Sequence, residues 1–306
     1  MKCLSLFTLV MAAFFTFAVF SSSTEEQLST TADTSIVNGN LPQTVLAIDL
    51  EGPFDFAGEV LPVDNFDVRE RLDRELLRNA YWHSNTLLNL KKAYRYFPLI
   101  ERILKEEEVP DDFKYLAVAE SDLRNAVSPA GARGFWQFMK ATAKEYKLEI
   151  NSEVDERYHL EKATKAACKM LKAYKKRFGS WTLAAAAYNV GSTRLGKELK
   201  VQRATSYYDM NLNAETARYI FRIVALKEIL AQPDLFGFRL SNDDKYSPLD
   251  SFYTVEVKEA VPNWGDFAQK YGISYRMLKL YNPWLINTSL TNRYKKTYEI
   301  KIPKKE

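Results

Sequence analysis

The sequence predicts an all-α domain followed by a small α+β module with the element order βααβ. Three observations carry this. From Val68 onward, apolar residues recur at three- and four-residue steps for about 160 residues without an alternating strand. After the polar stretch Ser241–Asp244, Tyr253, Val255 and Val257 alternate as in a strand, and Tyr298, Ile300 and Ile302 alternate again near the end. The 306 residues suffice for two folded units, and the 46% apolar and 27% charged residues are ordinary globular proportions. The net charge of +4 comes from nearly balanced acids and bases, so it does not point to nucleic acid; attraction to an anionic wall or membrane surface is as compatible with it.

In chain order, Lys2 precedes an apolar run from Leu4 to Phe20 broken only by Ser5, Thr8 and Thr16, which reads as a signal peptide over residues 1–22. The run is slightly short for a membrane span, and it serves either as a cleaved signal or as a retained anchor. Export, to the periplasm or cell envelope with possible membrane association, is the shared expectation. Cys3 stands before the run, where no lipid-attachment cysteine sits, and removal of the signal leaves Cys168 alone, a packed small residue rather than a disulfide partner. Residues 23–68 are rich in Ser, Thr, Asp, Asn and Pro and read as a linker or loosely ordered arm.

The all-α domain is expected over residues 69–240. Pro110-Asp111-Asp112-Phe113 has the form of a helix start. Ala163, Ala166, Ala167, Met170, Leu171 and Tyr174 form the buried stripe of a later helix, which Phe178 and Gly179 end. Thr182 to Tyr188 carries four successive alanines, small enough for another helix or a substrate to come close. The module spans residues 250–304, with helical patterns around Phe267, Ala268 and Tyr271 and around Met277, Leu278 and Tyr281 between its strands.

One carboxylate stands out. Glu120 follows Phe113 by seven residues, Leu116 by four and Ala117 by three, so it falls on the apolar face of its helix. A poorly solvated carboxylate has a raised pKa, which suits a proton donor near neutral pH. The same spacing also fits a buried glutamate held by an arginine or by helix N-termini, and periodicity does not choose between them. Downstream, Ser128-Pro129-Ala130-Gly131-Ala132-Arg133-Gly134-Phe135-Trp136-Gln137-Phe138 is a glycine-bearing turn ending in aromatic and amide groups, the kind on which a sugar stacks and hydrogen-bonds. Trp136 fits either a core or a cleft. Ala187-Tyr188-Asn189-Val190-Gly191 ends the alanine-rich helix, with Asn189 and Gly191 as an ordinary stop or with polar tips in a cleft. Asp122, two residues from Glu120, points well away along a helix, and reads as a solvated or capping residue. His83 and His159 are isolated and no cluster has metal-ligand spacing, so neither metal nor cofactor is expected.

Glu120-Ser121, Gly131 to Gln137, Ala187 to Gly191 and Glu215-Thr216-Ala217-Arg218-Tyr219, in this order, resemble the motifs of the soluble-lytic-transglycosylase catalytic domain, of the lysozyme-like superfamily. The Gly-Phe-Trp-Gln-Phe form is similar to the D branch of its membrane-bound members. The resemblance covers roughly residues 69 to 235. It implies a lysozyme-like fold and cleavage of the β-1,4 bond between N-acetylmuramic acid and N-acetylglucosamine in peptidoglycan glycan strands, without water, leaving a 1,6-anhydro end. It further implies Glu120 as general acid and then base, supported by Ser121, Gly134 and Trp136, with Ser128, Gln137, Tyr188, Asn189 and Tyr219 binding the sugars. The alternatives on the same fold are a hydrolytic muramidase and a non-catalytic peptidoglycan-binding protein. The final module resembles a LysM domain, a class that binds N-acetylglucosamine-containing glycans. It departs from that pattern at Val261-Pro262-Asn263, where Gly-Asp-Thr is usual, which leaves open a structural or protein-contact role.

Overall fold

A computed structural model describes residues 47–304; the apolar run Leu4–Phe20, Cys3 and the polar stretch up to residue 46 lie outside the described residues. The first described element departs from the reading of residues 23–68 as an arm. Strands β1 (Asp55–Phe56) and β2 (Glu59–Val60) form an antiparallel hairpin, turned by Ala57 and Gly58, both at positive φ. Phe54, Phe56 and Leu61 are buried, and the Phe56 ring meets Phe113 edge-on at 5.1 Å. The polar composition hid this because only a few alternate side chains of a very short hairpin need be apolar.

Eight helices follow: α1 (Phe66–Tyr81), α2 (His83–Glu106), α3 (Phe113–Ser121), α4 (Lys140–Glu145), α5 (Leu160–Phe178), α6 (Trp181–Val190), α7 (Ser192–Gln202) and α8 (Ala214–Ala231). Their starts are chemically marked. Asn65, Ser180 and Asn213 accept backbone N–H bonds at the N-termini of α1, α6 and α8, satisfying donors the helix leaves unpaired. Gly179 ends α5 in the left-handed conformation. Helix α8 packs against α1, α3 and α6, and α6 against α5. Ala184 to Ala187 are fully buried, so what the small side chains admit is neighbouring helices at close range. Cys168 is buried on α5 with its thiol pushed up to about 12 by burial.

The hairpin ties these helices together. The Glu59 carboxylate accepts the N–H of Trp181 (2.6 Å) and of Thr182 (2.9 Å) at the start of α6, and pairs with Lys175. Burial works against that charge, but the N–H donors and Lys175 hold the carboxyl below its ordinary value. Lys227 of α8 bridges Asp55 (3.0 Å) and Asp112 (2.8 Å), and Asp112 also accepts the N–H of Ala57 (2.7 Å).

The module consists of β3 (Phe252–Val257), α9 (Trp264–Lys270), α10 (Tyr275–Tyr281) and β4 (Tyr298–Pro303), the strands pairing antiparallel from Phe252↔Pro303 to Val257↔Tyr298. Val257, Trp264, Ala268, Leu278, Ile300 and Ile302 form its core, to which Val154 of the helical domain contributes. Among the described residues, no helix is long and apolar enough to cross a membrane.

Candidate active site

Helix α3 buries Phe113, Leu116 and Ala117 completely and carries Glu120 on the same side near its end, partly buried. The helix stops at once: Asp122 and Leu123 are both in the left-handed region, at φ 51° and 50°. Asp122 is the C-cap, and its carboxylate accepts from Asn85 (3.0 Å) and Asn89 (3.1 Å) of α2. This uncommon pair of conformations, held by the α2 amides, fixes where the chain leaves Glu120.

The Tyr219 hydroxyl, from α8, donates to Glu120 Oε1. Burial pushes the Glu120 carboxyl up to about 7, against the lowering effects of the Tyr219 bond and the Arg222 charge and with a small addition from the Glu215 charge. Tyr219 and Tyr188 are themselves pushed well above the ordinary phenol value, first by burial and then by the Glu120 charge, so both stay protonated donors. The Tyr188 hydroxyl donates to the Trp136 carbonyl oxygen at 2.5 Å, joining the end of α6 to the glycine-bearing turn. Asn189 accepts from the Thr216 hydroxyl (2.9 Å), and its amide lies 3.4 Å from Glu215 Oε1.

Within the turn, Gln137 sits at φ 45° and its amide donates to the carbonyls of Gly134 (2.7 Å) and Ala126 (3.2 Å). The Ser128 hydroxyl accepts the N–H of Ala132 (3.0 Å). Gly134 has φ +80°, and a Cβ there would stand 2.0 Å from the Arg157 carbonyl oxygen, so no other residue fits without moving the backbone. Trp136 lies in the core, not in a cleft: it is fully buried and donates from Nε1 to the Thr164 hydroxyl at 2.9 Å. Ser121 is buried with its hydroxyl donating to the Ala117 carbonyl (3.1 Å), so what it fixes is the helix end. Glu120 with Tyr219 and Tyr188 with the Trp136 carbonyl thus form two hydrogen-bonded pairs that sense each other's charge, while Ser128, Gln137 and Gly134 shape the turn. Glu120 lines neither of two cavities, of about 450 and 480 Å³, found elsewhere on the surface.

Sequence reasoning missed Glu75. It is fully buried on α1 and faces two arginines of α8, Arg218 (2.5 Å) and Arg222 (3.7 Å). Arg222 is the cation that acts on Glu120, so Glu75 anchors the electrostatics of the site from behind. The signal was present, since Glu75 falls between Leu72 and Leu76 on an apolar stripe, the same misplacement that singled out Glu120.

With the fold and this constellation defined, comparison gives the class. Residues 97–211 match the transglycosylase SLT domain, and residues 253–306 match the soluble lytic transglycosylase C-terminal LysM-like domain; the chain carries both. Among curated proteins it is homologous to membrane-bound lytic murein transglycosylase D of Escherichia coli (strain K12), with 30% identity over 244 residues, 77% of this chain and 52% of the relative. It is also 31% identical over 121 residues to a putative tributyltin chloride resistance protein of Alteromonas sp. (strain M-1), covering 39% of this chain and 58% of that protein. The chain spans about half the length of the curated relatives it matches. Among solved structures, the 70 kDa soluble lytic transglycosylase of Escherichia coli is similar at 19% identity and a TM-score of 0.39, over 56% of this chain and 32% of that one.

Proposed function

We propose that this protein is a peptidoglycan lytic transglycosylase, a glycosidic bond lyase, with Glu120 as general acid and then general base. The observation that carries the reading is a carboxyl held near pH 7 by burial and oriented by the Tyr219 hydroxyl. A carboxyl poised there is protonated in enough molecules to give its proton to the departing glycosidic oxygen, and once ionised it is basic enough to take one back. In this reading it takes that proton from the muramoyl 6-hydroxyl as the oxygen attacks the anomeric carbon, which closes the 1,6-anhydro ring and balances the cycle. The substrate's N-acetyl group stabilises the developing positive charge, oriented by Asn189 or Tyr188, and Ser128, Gln137 and Tyr219 hold the sugars. The SLT-domain match and the lytic murein transglycosylase relative support the substrate class, the apolar N-terminal run supports export, and the relative's name, membrane-bound, supports placement in the envelope.

The test is digestion of purified sacculi. Turnover should fall by about 100- to 10,000-fold in Glu120→Gln, the usual worth of a positioned acid–base group. Unchanged muropeptide release would refute the assignment.

One observation favours a second reading. Glu215 is a second carboxylate whose charge reaches Glu120, and a muramidase that uses water needs such a partner. The mass of the released ends separates the two. Dehydrated anhydro ends are expected, whereas ends heavier by one water would identify a hydrolase, and loss of that activity in Glu215→Gln would then make Glu215 the group that activates the water.

A further inference from the structure

The segment from Glu149 to Glu161 lies between the glycine-bearing turn and the C-terminal module and is bonded to both. On the turn side, Arg157 is 4% exposed, and its Nη1 donates to the carbonyls of Gly131 (3.1 Å) and Phe138 (3.2 Å), the two ends of the stretch that holds Gln137. Its guanidinium is fixed by a two-pronged pair with Asp155, Nε to Oδ1 at 2.9 Å and Nη2 to Oδ2 at 2.7 Å. The Gly134 backbone rests directly on the Arg157 carbonyl.

On the module side, the Asp155 N–H donates to the Trp284 carbonyl (2.9 Å) and the Ile286 N–H to the Glu153 carbonyl (3.0 Å), a short bridge between the two domains. The Glu153 carboxylate accepts from the N–H and hydroxyl of Thr291, at 3.0 to 3.1 Å. Val154, between these anchors, is fully buried in the module's own core.

We propose that the module is a built-in brace of the cleft: it grips Glu153 to Asp155, and Asp155 with Arg157 passes that grip to Gly131 and Phe138, making Arg157 a positioning residue for Gln137. A tether or glycan-binding appendage needs no such path. A flexible turn would have to be ordered at each sugar-binding event, and the brace removes that cost beforehand. The inference rests on the proposed function only for the identity of what the turn binds.

The test uses the full chain and two variants outside the Glu120 group: Glu153→Ala, which removes a half-buried carboxylate and releases Thr291, and Arg157→Lys, which keeps the charge but loses the fork. Hydrogen–deuterium exchange of the amides from 128 to 138 should quicken about 10-fold or more in both, with those of α1 and α8 unchanged, because only a local opening is made easier. On short soluble glycan chains, KM should rise several-fold with kcat nearly constant, as expected when ground-state positioning is lost. Unchanged exchange at 128 to 138 overturns the brace, and so does faster exchange everywhere, which would mean general loosening. If Arg157→Lys does not fold, Glu153→Ala decides alone. Should Glu120→Gln keep full turnover, the lytic transglycosylase reading fails, while the exchange result still judges the brace.

Discussion

Because burial holds the Glu120 carboxyl at about 7, the folded protein keeps a proton that the unfolded chain, with a value of 4.5, has already released. The stability this contributes is full below pH 4.5 and is lost as pH rises through 7, since the unfolded state binds fewer protons across that window. Glu120→Gln stays neutral throughout, so at pH 8 it should be more stable than the parent by about 1 to 3 kcal/mol, read as a higher Tm, while losing turnover. The neighbours tune the same proton. The alkaline limb of kcat/KM should sit near pH 7, move to higher pH in Arg222→Leu, which removes a lowering charge, and to lower pH in Glu215→Gln, which removes a raising one. At this scale the sequence spoke through misplacement. A charge on an apolar stripe found Glu120 and would have found Glu75, but the stripe does not record its partners. Tyr219, Arg222 and Glu75 come together through helix packing between α1, α3 and α8, which no local spacing encodes.

The helices were readable because each buries one stripe over several turns. The 55–60 hairpin was not, because a two-residue strand has no period to detect and its partners are distant in sequence. It nevertheless lodges Phe56 against Phe113, which meets Trp181 in turn at 5.3 Å. Phe56→Ala should therefore cost about 3 to 5 kcal/mol in urea unfolding, the range for deleting a buried aromatic ring. For Trp136 the sequence left core and cleft open, and the structure gives the core. Its neighbours in sequence suit a sugar site, and only the Thr164 hydroxyl, waiting on α5 for an indole N–H, makes the core its place.

The boundary between helical domain and module was visible as a change of period near Ser241, but their docking was not. It depends on residues 149 to 161, whose partners in the module lie more than 120 positions further along the chain. Since Val154 belongs to the module's core and Glu161 pairs with Lys301 of β4, the two parts share structure. Thermal unfolding should accordingly show one transition, with fluorescence and calorimetry coinciding; two separated transitions would show the parts to be independent. The hairpin carries a different consequence, one of timing. Its bonds to Asp112, to the start of α6 and to Lys227 join residues 55, 122 and 172 positions apart. During synthesis the hairpin emerges before the helices that it joins. Contacts of such separation form late, after the long loop between them has been closed. The hairpin is thus among the last segments to lock, and the helical domain is completed when Asp55 closes onto Lys227 of α8.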